Sequence, residues 1–331
     1  MTTGAGHGRR MTLRFGILGA AKFAREQMGP AIRAATGCEL VALGSSSGRG
    51  FDWAPSVRLH PSYEALLEDD EVDAVYIPLP NHLHVEWAVR AAEAGKHVLV
   101  EKPAAMDVAG VDRLIEARDR TGFLIAEAFM IVHHPQWQAA KRLLEQAAIG
   151  RIQQVDARFS FRNVDEDNIR NRSETGGGAL PDIGVYIFGG PRFATGSEPT
   201  RVEARVEYEN GVDTFARIDA QMDGPLGAFS YSGMVSTRLH NRQEVVFHGE
   251  EGVITLPVPF NARVFGQAEL RVARGMDVLT ERWPDTNQYV LQVEAFAEAV
   301  RDGTRYFPDL EFSRGTQAMI DACYGASPRP A

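Results

Sequence analysis

Asp182 and Tyr186 stand four residues apart, just after Gly176-Gly177-Gly178-Ala179-Leu180-Pro181. On a helix that spacing puts both side chains on one face. The three glycines would let backbone lie close to a ligand. A carboxylate and a phenol placed together can orient a hydroxyl group and move its proton. Free tyrosine titrates too high to act as a base at neutral pH. A lysine ammonium about 4 Å away, at an effective dielectric of ~20, would stabilise the phenolate by about 4 kcal/mol, roughly three pK units. Lys102 follows the apolar run His97-Val98-Leu99-Val100 and can supply that charge. Plainer roles fit the same residues. Tyr186 can be core, Lys102 can close a strand, and Asp182 can complement a helix dipole. Asn168 and Arg170 suit either substrate contacts or a loop salt bridge. His133 and His134 read as a packed turn, because neighbouring histidines without a carboxylate cluster suit no metal, and none is expected.

A second constellation concerns phosphate. Leu13 to Leu18 is a short apolar run, followed by Gly19-Ala20-Ala21-Lys22-Phe23-Ala24. A dinucleotide fingerprint would read G-x-G-x-x-G there, and only the first glycine is present. Alanine still lets backbone N–H groups at a helix start approach a pyrophosphate, though less closely. The next strand, Glu39 to Leu43, leads into Gly44-Ser45-Ser46-Ser47-Gly48-Arg49. NAD enzymes usually carry an acid there for the ribose hydroxyls. Three hydroxyls with Arg49 and Lys22 suit a ribose 2′-phosphate better, so NADP is expected ahead of NAD. The plain alternative is that the serines cap a turn and Arg49 faces water.

The elements that must position these groups follow two patterns. Up to about residue 130, buried-type strands (Leu13–Leu18, Glu39–Leu43, Ala74–Ile77, His97–Val100, Phe123–Ala126) alternate with helices (Phe23–Ala35, His84–Ala94, Val108–Arg120). Such alternation specifies a doubly wound parallel sheet with helices on both faces, an α/β Rossmann unit. After a helix at Gln136–Ala148, period-two segments follow in succession, at 154–159, 201–208, 214–222, 228–234, 244–247 and 269–272. They predict an α+β unit with a large, mainly antiparallel, open-faced sheet, one apolar face of which a helix or another subunit must cover. Helices at Gln288–Arg301 and Phe312–Tyr324 close the chain, the last of them able to pack back on the first unit. The expected division is a leader at 1–10, a nucleotide-binding unit at 11–130 and a substrate and assembly unit at 131–331.

Composition narrows the class. The chain has 331 residues, 44% hydrophobic and 24% charged, with a net charge of −9. These values describe a globular protein, and the acidic balance argues against a nucleic-acid binder. No apolar stretch approaches the ~20 residues of a membrane helix. Arg9-Arg10 before an apolar run imitates a twin-arginine signal, but the run is short and opens the nucleotide-binding pattern itself. Two distant cysteines, Cys38 and Cys323, make no disulfide framework, so a reducing cytoplasm is expected.

The region Val75 to Pro103 holds Pro78-Leu79-Pro80-Asn81-His82-Leu83-His84, then Gly95-Lys96-His97, then Glu101-Lys102-Pro103. It resembles the glucose–fructose oxidoreductase / inositol dehydrogenase / MocA family. Glu127-Ala128-Phe129-Met130 with His134-Pro135, the block Asn168 to Tyr186, and Glu294 to Val300 agree in order. Within the family the chain looks most similar to the branch of NADP-dependent D-xylose dehydrogenases, dimeric dihydrodiol dehydrogenases and glucose–fructose oxidoreductase. Much of the wider family has His where Tyr186 stands. Val132 departs from the branch, which commonly has Arg there. The resemblance implies an oxidoreductase moving a hydride between NADP (or NAD) and a sugar, polyol or diol, in the cleft between the two units. It implies Lys102 and Tyr186 as the acid/base pair, Asp182, Asn168 and Arg170 around the substrate, and Gly19 to Phe23, Ser45, Ser46, Ser47 and Arg49 around the cofactor. Pro80, Asn81, Glu101 and Lys102 would also contact the cofactor, and His84 would contact the nicotinamide unless it merely starts its helix. A homo-dimer or homo-tetramer through the second sheet is also implied. Two other readings fit these residues: a nucleotide-binding regulator without turnover, and a glycosidase using a held nicotinamide.

Overall fold

The protein is described from a computed structural model, which covers residues 12–45 and 48–328. The leader, Ser46 and Ser47 therefore lie outside the described residues. Six strands make the first sheet: β1 (Leu13–Leu18), β2 (Cys38–Gly44), β3 (Arg58–His60), β4 (Ala74–Ile77), β5 (His97–Val100) and β6 (Ile125–Glu127). All pair in parallel, in the order β3-β2-β1-β4-β5-β6. Successive side chains leave on opposite faces, so Phe15, Ile17, Tyr76 and Leu99 enter one core while Leu18, Val75, Ile77, Val98 and Val100 enter another. That is why these strands read as nearly unbroken apolar runs. The order reverses direction between β1 and β4, and the crevice at such a switch point is where doubly wound sheets bind ligands.

The first helical segment departs from the regular helix expected at Phe23–Ala35. A wide π turn at Ala24–Met28 runs into α1 (Gly29–Ala34). α2 (Tyr63–Leu67), α3 (His84–Glu93) and α4 (Val108–Thr121) complete the layers. Asp107 caps α4 by accepting from the Gly110 N–H, and Gly122 ends it with φ +74°.

α5 (Pro135–Glu145) opens the second unit, followed by β7 (Ile152–Arg162), a π turn at Leu180–Gly184 and α6 (Val185–Thr195). Seven more strands follow: β8 (Glu198–Glu209), β9 (Val212–Asp223), β10 (Phe229–Ser236), β11 (Arg238–Gly249), β12 (Val253–Leu256), β13 (Ala268–Arg274) and β14 (Asp277–Trp283). They form one sheet ordered β14-β13-β12-β11-β7-β10-β9-β8, antiparallel except where β7 meets β10. α5 and α6 pack against it, so the chain itself supplies the helical cover that the alternation requires.

α7 (Gln288–Asp302) and α8 (Leu310–Ala326) return to the first unit. Glu294 accepts from the Thr36 N–H at 2.9 Å, while Glu311 pairs with Arg118 and Asp112 with Arg314 at 2.8 and 2.6 Å.

Burial brings the imidazoles of His97, His133 and His134 down to about 4. Unfolded histidine takes its proton near pH 6.5, so between about pH 6.5 and 4 the unfolded chain holds more protons and these rings weaken the fold as pH falls. Glu101, Glu127 and Asp213, raised by burial, act in the opposite sense. A thermal scan would mix the two. An NMR pH titration separates them: these three rings should keep neutral-form shifts at pH 5, and protonation of any near pH 6.5 would refute its assigned burial.

Candidate active site

A cavity of about 530 Å3 opens between the two sheets, lined by residues of both. β1 ends at Gly19, whose φ is +107° and where a Cβ would meet Leu79 Cδ2 at 3.0 Å. Ala21, Lys22 and Phe23 line the cavity from that turn, and Pro78, Leu79 and Asn81 line it from the loop after β4. The helical start after a strand at the switch point, with small Ala20 and Ala21 in the turn, fits a pyrophosphate approaching backbone N–H groups. Ser45 is buried and Arg49 exposed at the end of β2, and no acid follows β2 among the described residues before Asp52.

β5 delivers Glu101 and Lys102. Lys102 Nζ donates to the Asp182 carbonyl at 2.6 Å and to its Oδ1 at 2.9 Å. Arg170 Nε donates to the other carboxylate oxygen at 2.7 Å. These two cations hold the Asp182 carboxyl far below the usual carboxylate range, against the opposing effect of burial. Asp182 lies in the π turn and Tyr186 in α6, on the shared face that their spacing predicts. Lys102 Nζ sits over the Tyr186 ring, 5.1 Å from its centroid.

This geometry corrects the expected electrostatics. The ammonium engages Asp182 and the ring face, while the phenol sits among Phe129, Phe159 and Phe260, its hydroxyl 3.6 Å from Met130 Sδ. Burial, reinforced by Tyr289 and nearby carboxylates, pushes the Tyr186 phenol well above its ordinary value. Tyr186 therefore keeps its proton at neutral pH. The phenol is held in its protonated form, not as a preformed phenolate.

Other expected site residues divide. Both nitrogens of fully buried His84 are engaged, Nδ1 with the Pro103 carbonyl at 2.7 Å and Nε2 with the Leu79 carbonyl at 2.8 Å. It lines the cavity at the start of α3 and sits between two site loops, and because burial keeps the ring neutral only one of the two carbonyls accepts its N–H at a time. Asn168 lies off the cavity wall and caps the turn that carries Arg170, accepting from its N–H at 3.1 Å. Asn81 lines the cavity while its amide donates to Gly176 O at 2.9 Å, crossing between the units. Pro80 precedes the turn that holds Asn81. Glu101 lines the cavity and accepts from Tyr76 Oη at 2.5 Å.

Gly177 and Gly178 line the cavity, as expected for backbone lying close to a ligand, and they also sit tightly against protein. A Cβ at Gly177 would meet Arg170 O at 2.5 Å, and one at Gly178 would meet Asp213 Oδ1 at 2.1 Å. They let protein approach protein. Asp213 in turn accepts from the Leu180 N–H at 2.7 Å and so anchors the start of the turn bearing Asp182. Val132 is buried and does not line the cavity, whereas Met130, two residues earlier, does. Tyr289, Phe159, Phe161, Asn163 and Asn261 line it too and carried no sequence signal. Among the described residues no cluster of three or more His, Cys, Asp or Glu could hold a metal ion.

Comparison with known proteins agrees with this arrangement. An uncharacterized oxidoreductase of Rhizobium meliloti, ORF334, is 39% identical over 96% of this chain and 97% of its own. A D-xylose 1-dehydrogenase (NADP(+)) of Haloferax volcanii is 31% identical over 94% of this chain and 96% of its own. The crystal structure of KijD10, a 3-ketoreductase from Actinomadura kijaniata in complex with NADP and TDP-benzene, superposes with a TM-score of 0.85 at 29% identity, covering 96% of this chain and 98% of that one. The model of the oxidoreductase family with an NAD-binding Rossmann fold matches residues 13–129, and that of the GFO/IDH/MocA C-terminal domain matches 137–255. On these matches and this fold, the chain belongs to the Gfo/Idh/MocA family of oxidoreductases.

Proposed function

We propose that this chain moves a hydride between NADP(H) and a carbinol or carbonyl carbon of a sugar, polyol or diol, in the cavity between its two units. The observation that carries the reading is Lys102. Its ammonium, supplied by the first unit, lies between Asp182 and the face of Tyr186 from the second. When bound, the nicotinamide supplies or accepts the hydride. Reduction of a carbonyl requires a proton at oxygen, and Tyr186, held protonated, suits that donation. Lys102 places positive charge beside the oxygen as it becomes anionic. Arg170 and Asp182 fix the direction of that ammonium. NADP is favoured over NAD by Lys22, Arg49 and the missing acid after β2, and by the NADP in the related ketoreductase structure.

The division at 11–130 and 131–331 is supported by the two family models. A homo-dimer or homo-tetramer through the open sheet face is supported by exposed Arg201, Glu203, Arg205, Arg217 and Asp219, alternating charges that pair within the chain (Arg201 with Glu203, Arg217 with Asp219) and whose partners a second copy can exchange. Cytoplasmic residence is supported by the unpaired Cys38 and Cys323, and no described helix is long and apolar enough to cross a membrane.

The test is loss of NADPH absorbance with a panel of keto-sugars, aldoses and cyclic diketones, repeated with NADH. Native protein should oxidise NADPH with at least one compound, and Tyr186→Phe should lower kcat by about a hundredfold or more. Tight NADPH binding with no turnover across the panel would favour the regulator instead. Release of sugar from a glycoside without net nicotinamide change would favour the glycosidase.

A further inference from the structure

The cavity has unlike walls. Lys102, Arg170 and Asp182 form a charged floor, while Met130, Phe159, Phe161 and Ile183 form an apolar side. That side continues to Ile169 and Val264, which line the cavity yet are 45% and 65% exposed. Val164 and Phe265, adjoining the lining residues Asn163 and Val264, are 50% and 39% exposed. Large apolar side chains left in contact with water along a cavity wall mark a surface that something else covers. Asn163, next to Val164, has its side-chain oxygen engaged. Asn163 Oδ1 accepts from the Asp165 N–H at 3.1 Å and from Asn171 Nδ2 at 3.3 Å. A freely hydroxylated sugar leaves the apolar part of such a rim in water. An apolar substituent gains its burial.

We infer that the opening is a subsite for an apolar or aromatic substituent. The substrate is a sugar or cyclic alcohol that carries such a group, which lies on Ile169, Val264 and Phe161 while the reacting carbon faces Lys102 and Tyr186. This rests on the proposed function only for the identity of the reacting end. The rim can be tested by binding alone.

The experiment is calorimetric titration of the NADP-loaded protein with phenyl and methyl glycosides of glucose, xylose and galactose. Burying ~50 Å2 of phenyl surface at ~25 cal/mol per Å2 corresponds to about tenfold tighter binding of the phenyl member. In Ile169→Ser/Val264→Ser, two changes at exposed positions, that ratio should fall to about twofold or less. Circular dichroism checks that the fold is kept. Phenyl and methyl members binding alike, both failing to bind in all three pairs, or an unchanged ratio in the double variant would each overturn the inference. A phenyl preference without hydride transfer to any substrate would leave the subsite standing and remove the oxidoreductase reading. Turnover without phenyl preference would do the reverse.

Discussion

Lys102→Ala is expected to lower kcat by about a thousandfold while the dissociation constant for NADP changes by no more than about threefold. The loss has two sources. In the proposed reaction the ammonium, which sits over the Tyr186 ring, stabilises the oxygen as it becomes anionic, and it is also one of two cations on Asp182. Without it the Asp182 carbonyl loses its 2.6 Å donor and the carboxylate keeps only Arg170. A buried carboxylate stripped of one partner will draw the other toward it, so the polar floor should deform as well. The change should therefore appear in kcat before KM, with Lys102→Arg restoring binding of substrate better than turnover. The measurement is steady-state kinetics beside NADP titration by fluorescence. Turnover within tenfold of native would remove Lys102 from the chemistry.

The second large effect is on folding. Gly178→Ala should destabilise the protein by about 4 kcal/mol or more, read by urea denaturation. At φ +139° the new Cβ would stand 2.1 Å from Asp213 Oδ1. Asp213 cannot withdraw freely, because its carboxylate holds the Leu180 N–H and accepts from Tyr324 Oη, each at 2.7 Å. Relieving the clash breaks a buried network at the base of the turn that carries Asp182. Gly122→Ala is the control. It has a left-handed φ of +74° but nothing within 4 Å of the added Cβ, so it should lose only about 1 kcal/mol of backbone strain. Equal losses at the two positions would show that the Asp213 contact is unimportant.

The sequence showed most of the architecture because the strands of the first unit are buried on both faces and those of the second on one. Segments without either pattern escaped notice. β3 is three residues of mixed exposure, α2 a single turn, and β14 carries Arg282 and Glu281 beside exposed Val278 and Leu279. The extent of α6 was hidden for another reason. Gly189-Gly190-Pro191 reads as a helix breaker, yet a Cβ at Gly189 would meet the Phe129 ring at 2.6 Å and one at Gly190 the Trp137 ring at 2.4 Å. Tertiary packing there overrides local propensity. In the site, Lys102, Asp182, Tyr186 and Arg170 were legible from type and spacing. The direction of the Lys102 ammonium was not, because Arg170 reaches Asp182 from a loop whose path no periodicity reports. His84 starts α3, one of the two roles its position allowed, but its carbonyl partners could not be read from the sequence, because Leu79 and Pro103 become neighbours only in the folded loop.

The groups proposed to move the proton hang from a strand end and a buried helix, whereas Ile169, Arg170 and Val264 hang from segments outside every strand. Replacements on those segments can change which molecules enter without shifting the acid or the coenzyme turn. One frame of this kind can serve many alcohols, with diversity confined to its entrance.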